Sequence, residues 1–263
     1  MIYVVEDKNM RPYMEDYHNI KINLYNGYDY IGVYDGHGSD QVSLFLKFHL
    51  KNFIVKHLEM NKHPANALMA AFAEAHATMP IDISFTAGSA AIVILRKNKE
   101  LWIANCGDCR AIISSYSHKV LPLSSDHKPN RQDEFDRIKN LGGIVTFNPN
   151  DVPRVQGNLA LSRSLGDKYL APFVIPVPEI QYFQITEDNQ YIVMASDGLW
   201  DVYSNEDVIN SVVNTAHNSS GSVYGSSSRE FANKLMRNAC LDLLNGAKMR
   251  GSGDNITIIF WQL

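Results

Sequence analysis

Apolar and polar positions along the chain follow two periods. Residues 28–35, "YDYIGVYD", centre on Ile31, Val33 and Tyr34 and predict a buried strand. In "SDQVSLFLKFHLKNFIVKHLEM", Val42, Phe45, Leu46, Phe53 and Leu58 recur at helical spacing, with Ser39 or Asp40 as the cap. Pro64 suits the first turn of a second helix, "PANALMAAFAEAHATM". Three strand-like runs follow, "GSAAIVIL", "ELWIANC" and "RAIIS", the first two joined by a hairpin turn at "RKNKE". "NRQDEFDRIKNLGG" predicts a helix stopped at Gly142 and Gly143. "EIQYFQI" and "QYIVMAS" are expected to form another strand pair. Residues 204–207 and 227–230 have the form of capping boxes opening two late helices, and "NITIIFW" closes as a strand.

Strands come in adjacent groups, with helices between them as pairs or late blocks. A regular βαβ alternation is missing, so the pattern predicts an α+β layout of antiparallel sheets covered by helices. Residues 215–228, "TAHNSSGSVYGSSS", are polar and glycine-rich and are expected to form a mobile surface loop. With no internal repeat and no linker, residues 1–263 are expected to form a single domain.

Composition narrows the partners. Net charge is −4, so no basic field draws in nucleic acid. No stretch reaches the ~18 uninterrupted apolar residues of a membrane span. Three cysteines in 263 residues fit a reducing compartment better than a disulfide framework. The apolar start is too short for a secretory signal. The expectation is a soluble protein, cytoplasmic or also nuclear, acting as a monomer without membrane or nucleic-acid partners.

Carboxylates recur at the predicted strand ends. Asp35 ends the first buried run and is followed by Gly36 and His37 in a tight turn, "DGHG". Glu15 and Asp16 precede a strand-like stretch. Asp108 follows "LWIANCG", and Asp197 ends "YIVMAS" with Asp201 one turn on. Asp254 begins the last strand. Gathered together, these acids would repel one another, take up protons or unfold the site. Divalent cations remove the conflict, because Mg²⁺ and Mn²⁺ select carboxylate, carbonyl and water oxygens. Two such ions about 3.5–4 Å apart, sharing one carboxylate, can set a water in line with phosphorus. Arg11 fits such a site, since a guanidinium grips two phosphate oxygens. Each piece alone has a plainer reading: Asp-Gly as a turn former, Arg11 as a solvated charge, His37 as a loop histidine.

Eight segments carry a resemblance: "RPYMEDYH", "GVYDGHG", "ANCGDCRAI", "DHKP", "RVQGNLALSRSLGD", "PEI", "ASDGLWDV" and "GSGDNITI". In order, over nearly the whole chain, they resemble the motifs of the type 2C protein phosphatases, metal-dependent enzymes that act on phosphoserine and phosphothreonine. The resemblance implies a four-layer α-β-β-α sandwich with two central, mainly antiparallel sheets. It implies two Mg²⁺ or Mn²⁺ ions, with a weaker third, and phosphorylated proteins as substrates. Asp35 matches the bridging carboxylate, and Glu15 with the Gly36 carbonyl matches the ligands of one ion. Asp197 and Asp254 match the acids of the other ion, and Asp16 a nearby acid that holds water. Arg11 matches the phosphate-binding arginine and His37 the proton donor to the leaving oxygen. Asp108 and Asp201 match the third-ion ligands. Water would attack phosphorus directly, with no phosphoenzyme.

Some positions depart from that pattern. Ser39 stands where a glycine is common and Ala90 where a threonine is usual; the segment before Arg11 is short, so an edge strand is expected to be truncated. Cys109 makes Cys106 and Cys109 a C-x-x-C, which lacks the further ligands of a zinc site and the βαβ context of a redox motif. The plainer reading is two small buried residues flanking Asp108; were they to oxidise, Asp108 would be displaced and activity lowered. No cysteine has an arginine six residues on, no P-loop is present, and the "GHG" lacks a third glycine. Two rivals stay open: a binding module that has lost its metal on the same fold, and a two-metal hydrolase of small phosphate esters.

Overall fold

A computed structural model describes residues 1–149, 151–219 and 228–263. The strands are β1 (Ile2–Asp7), β2 (Asp16–Tyr25), β3 (Tyr28–His37), β4 (Gly88–Lys97), β5 (Glu100–Cys106), β6 (Arg110–Ser115), β7 (Val120–Pro122), β8 (Val145–Thr146), β9 (Arg154–Val155), β10 (Leu165–Gly166), β11 (Glu179–Gln184), β12 (Asn189–Ala195) and β13 (Ile256–Gln262). The helices are α1 (Gln41–Glu59), α2 (Pro64–Thr78), α3 (Ile81–Ser84), α4 (Gln132–Asn140), α5 (Asp197–Trp200), α6 (Asn205–Ser219) and α7 (Ser228–Met249). The chain forms two compact units. One holds Met1–Met14, Arg110–Leu123 and Ile185–Leu263; the other holds Glu15–Cys109 and Ser124–Gln184.

The unit of Glu15–Cys109 and Ser124–Gln184 is built on an antiparallel sheet in the order β11-β5-β4-β3-β2, with β10 added to β4. Eight successive residues of β4 are buried, as a continuous apolar run requires. Tyr30, Tyr34, Ala91, Val93 and Leu95 share a core with α1 and α2. On α1, Val42, Leu46, Leu50, Ile54 and Leu58 stack one turn apart as the buried stripe. Full burial of each large aliphatic there contributes roughly 1.5–3 kcal/mol. Phe45 and Phe53, expected in that stripe, lie at its margin. Pro64 opens α2 as expected, and His63 caps it by accepting a hydrogen bond from the Ala65 backbone at 3.3 Å. A smaller core of Ile138, Val145, Val155, Leu170 and Val174 joins α4 to the β8–β9 ribbon.

The other unit carries a sheet in the order β1-β13-β12-β6-β7, antiparallel throughout. Val193, Ala195, Ile256, Ile258 and Phe260 pack against Val208, Ile209 and Val212 of α6 and Met236, Ala239, Cys240 and Leu243 of α7. The predicted capping box at α6 forms. Ser204 Oγ accepts from Asp207 N at 3.1 Å, and Asp207 Oδ2 accepts from Ser204 N at 3.3 Å. The box expected at 227–230 begins at Ser227, which lies outside the described residues.

Two large antiparallel sheets, each covered by its own helix pair, supply the α and β layers of the expected α+β architecture. Three local expectations differ. β11 and β12 do not pair with each other: β11 joins β5, while β12 joins β6 and β13. Alternation gives each strand a face to bury but names no neighbour. β3 runs through Gly36 and His37, which pair with Ser89 and Gly88, so the turn begins at Gly38 (φ 78°). Finally, α6 extends to Ser219, so 215–219 are helical and not loop. Thr215 is buried there, its hydroxyl donating to Ser211 O at 3.0 Å and to Asp242 at 2.6 Å. The remainder of that segment, 220–227, lies outside the described residues. Among the described residues no helix is long and apolar enough to cross a membrane.

Candidate metal centre

Strands β2 and β3 set the acidic residues of the first unit. Asp16 and Asp35 are cross-strand partners, and Asp16 is 1% exposed. Asp108, buried after β5, brings a carboxylate oxygen within 4.8 Å of one on Asp35. Like charges this close repel one another and destabilise the fold unless cations balance them. Lys128, from the predicted "DHKP" segment, supplies one by pairing with Asp108. The donor set is all hard oxygen, which suits Mg²⁺ or Mn²⁺ and not zinc.

Glu15 and Gly36 meet through the backbone. The Glu15 carbonyl accepts from Gly36 N at 3.2 Å and from Ser43 Oγ at 2.5 Å. A Cβ at residue 36 would lie 2.6 Å from that carbonyl and from the Ser43 hydroxyl, so glycine is required for the strand to approach so closely.

His37 reaches Asp167 across 130 residues, Nε2 to Oδ2 at 2.7 Å. Burial opposes the cationic imidazole; the hydrogen bond and charge of Asp167 overcome it and raise the His37 pKa. "SLGD" carries Asp167 in the sequence, but nothing local ties it to His37.

The second unit holds the remaining residues. Arg11 Nη2 donates to Asp254 Oδ2 at 2.6 Å, with the side chains 50% and 38% exposed. The Asn255 side chain donates to the carbonyls of Lys8 and Tyr13 at 2.9 and 3.0 Å, which ties the Arg11 segment to the start of β13. Asp197 opens α5, and Asp201 N donates to Asp197 O at 2.8 Å. Gly198 packs so tightly on the Asn255 carbonyl that no Cβ fits between them. Asp197 and Asp254, each the preceding residue, are thereby brought to one place in the unit.

Cys106 and Cys109 are buried, unbridged thiols, and burial pushes the Cys106 thiol well up. A thiolate is the reactive form, so this environment disfavours the redox role considered for the C-x-x-C. Ala90, in place of a threonine, packs where Gly107 (φ 119°) turns the chain toward Asp108.

The protein phosphatase 2C family model matches residues 4–245. The chain belongs to this family. A protein of Oryza sativa subsp. japonica named "Probable protein phosphatase 2C 56" is 38% identical over 208 residues, covering 77% of this chain and 58% of that one. A second from the same organism, named "Probable protein phosphatase 2C member 13, mitochondrial", is 36% identical over 264 residues, covering 97% and 66%. The chain thus spans about half to two thirds the length of the curated relatives it matches. The crystal structure of a serine-threonine phosphatase 2C from Toxoplasma gondii shares the fold, with TM-score 0.81, 19% identity and coverage of 99% and 94%.

Proposed function

We propose that this protein hydrolyses phosphoserine and phosphothreonine in protein substrates, with its two units acting as one catalytic domain. The observation that carries this reading is the pairing of Asp16 with Asp35 beside Asp108, in a chain of the protein phosphatase 2C family. Glu15, Asp35 and the Gly36 carbonyl would hold one Mg²⁺ or Mn²⁺, and Asp35, Asp197 and Asp254 a second. Asp16 would hold water beside them, and Asp108 with Asp201 would serve a weaker third site. When bound, such ions neutralise phosphoryl oxygens and lower the pKa of the attacking water.

The chain's own groups do the rest. Arg11 presents two N–H groups to phosphate oxygens, and Asp254 keeps the guanidinium oriented until substrate arrives. Exposed ion pairs are worth about 0–1 kcal/mol, so a phosphate dianion can take the arginine over. His37 donates a proton to the serine or threonine oxygen as it leaves. An alkoxide leaves badly, and such donation contributes roughly 10²–10⁴-fold.

Among the alternatives, a binding module that has lost its metal is disfavoured because Glu15, Asp35, Asp197 and Asp254 are all present. A panel of small phosphate esters against phosphopeptides separates the other rival. We also propose that the protein acts as a monomer, and that its setting is reducing and cytoplasmic, which three buried, unbridged cysteines support.

The test is phosphate release from a phosphothreonine peptide with and without chelator, followed by Mg²⁺ or Mn²⁺ add-back. Release that stops with chelator and returns with metal is expected; release indifferent to chelator would refute the reading.

A further inference from the structure

We propose that Asp167 is a positioning residue for His37, holding Nε2–H so that Nδ1 is the nitrogen that takes up and transfers the proton. The inference rests on the phosphatase reading and deepens it. His37 Nε2 lies 2.7 Å from Asp167 Oδ2, with the histidine side chain 27% exposed and that of Asp167 1% exposed. One partner thus opens to solvent and the other is sealed.

Three features hold Asp167 for this contact. Its backbone is left-handed (φ 46°, ψ 36°), a conformation aspartate tolerates better than most residues. Its N–H donates to Ala87 O at 2.9 Å. Ser164 Oγ donates to the same Oδ2 at 2.5 Å. On the facing strand, Gly88 is the register partner of His37. A Cβ at 88 would collide with both Asp167 Oδ2 and His37 Nε2, so this glycine provides the space the contact occupies.

A buried carboxylate is costly unless its charge is answered. Asp167 forms no ion pair with lysine or arginine among the described residues, and its Oδ1 is buried without a hydrogen-bond partner. Its charge is answered by the imidazole and the Ser164 hydroxyl.

The consequence follows from the two nitrogens of imidazole. A carboxylate only accepts, so Nε2 carries its proton toward Asp167. In the reaction, the Nδ1 proton passes to the serine or threonine oxygen as the P–O bond breaks, and the electron pair of that bond stays on the oxygen. The imidazolium becomes a neutral imidazole that keeps Nε2–H on Asp167, and solvent returns a proton to Nδ1.

The test compares wild type, Asp167→Asn, His37→Ala and the double variant in the full chain with Mn²⁺. For Asp167→Asn, kcat/KM on a phosphothreonine peptide is expected to fall about 10–100-fold, and on p-nitrophenyl phosphate, whose leaving group needs no proton, less than about 3-fold. In the His37→Ala background the same change adds no further loss. Ser164→Ala, which loosens the carboxylate without removing it, gives the same selectivity at smaller amplitude. Equal losses on both substrates, or additive losses in the double variant, overturn the proposal. Histidine ¹⁵N correlation spectra give a reading independent of turnover: the neutral His37 imidazole is expected as the Nε2–H tautomer in wild type, and this preference is lost in Asp167→Asn. An unchanged tautomer overturns the inference. Failure of the wild type to release phosphate with metal would instead count against the phosphatase reading.

Discussion

Asp16 and Asp35 stand directly opposite each other across the β2–β3 ladder. Two carboxylates in that relation destabilise a sheet unless a cation lies with them. Asp35→Asn is therefore expected to raise the Tm of the chelator-treated protein by a few degrees. It should also remove the Tm gain that Mg²⁺ or Mn²⁺ gives the wild type, since a ligand stabilises only the fold it binds. Turnover of a phosphothreonine peptide should fall by about 10³-fold or more. Thermal scans with and without metal check this; a variant that keeps the metal-induced gain contradicts it.

The Arg11–Asp254 contact is half open to solvent, so it adds little to stability. Arg11→Ala should leave Tm within about 1 °C while raising KM for a phosphopeptide about 10-fold or more, and Arg11→Lys should recover only part of the loss because it lacks the planar fork. Steady-state kinetics and a thermal melt read both quantities. A large Tm loss with unchanged KM would assign Arg11 a purely structural role.

Gly198 separates Asp197 from the rest of α5 and lies against the Asn255 carbonyl with no room for a Cβ. Gly198→Ala must push α5 away from the start of β13, and overpacking of this kind costs about 1–3 kcal/mol. Because the shift moves Asp197 relative to Asp254, activity should fall further than stability does. Urea unfolding and phosphopeptide assays on one preparation measure the two losses. Wild-type turnover in a destabilised variant would show that the spacing does not matter.

Glu134 is 1% exposed and lies between Arg137 and Arg163, at 2.9 and 2.7 Å. Burial works against its charge; hydrogen bonds from Arg163 and Arg137 prevail and lower its pKa to about 2. A carboxylate with a folded pKa below its unfolded value of 4.5 contributes stability that is present above pH 4.5 and lost as pH falls toward 2. Glu134→Gln leaves two partly buried guanidinium groups without their carboxylate and should cost about 3 kcal/mol at neutral pH. The loss should shrink through that acid window. Denaturant unfolding at pH 7 and pH 3 checks the sign; an equal loss at both would show that the charge of Glu134 is not what stabilises the segment.

Much of the fold and of the acidic set was legible in local sequence. The helix through Val42, Leu46 and Leu58, the proline start of α2, the Gly142 stop of α4 and the Ser204 cap are decided within a turn or two of helix. The acids stood out because they lie beside a glycine or at the border of a strand-like run. What was misread depended on distant partners. Gly36 and His37 looked like a turn, yet they stay in β3 because Ser89 and Gly88 pair with them. Thr215 looked like loop, yet Asp242 anchors it in α6. Asp167 went unassigned because its partner lies 130 residues away.

The order of the motifs, the chemistry of the acids and the choice of helix or strand follow from the chain itself, because propensity and periodicity act over a few residues. Tertiary structure alone decided that β11 joins β5 while β12 joins β13, that Asp16 faces Asp35, that Arg11 rests on Asp254 and that Asp167 holds His37. Those relations join residues far apart in sequence. A side chain carries its charge and shape anywhere in the chain, but its partner is set only when the sheets are in register.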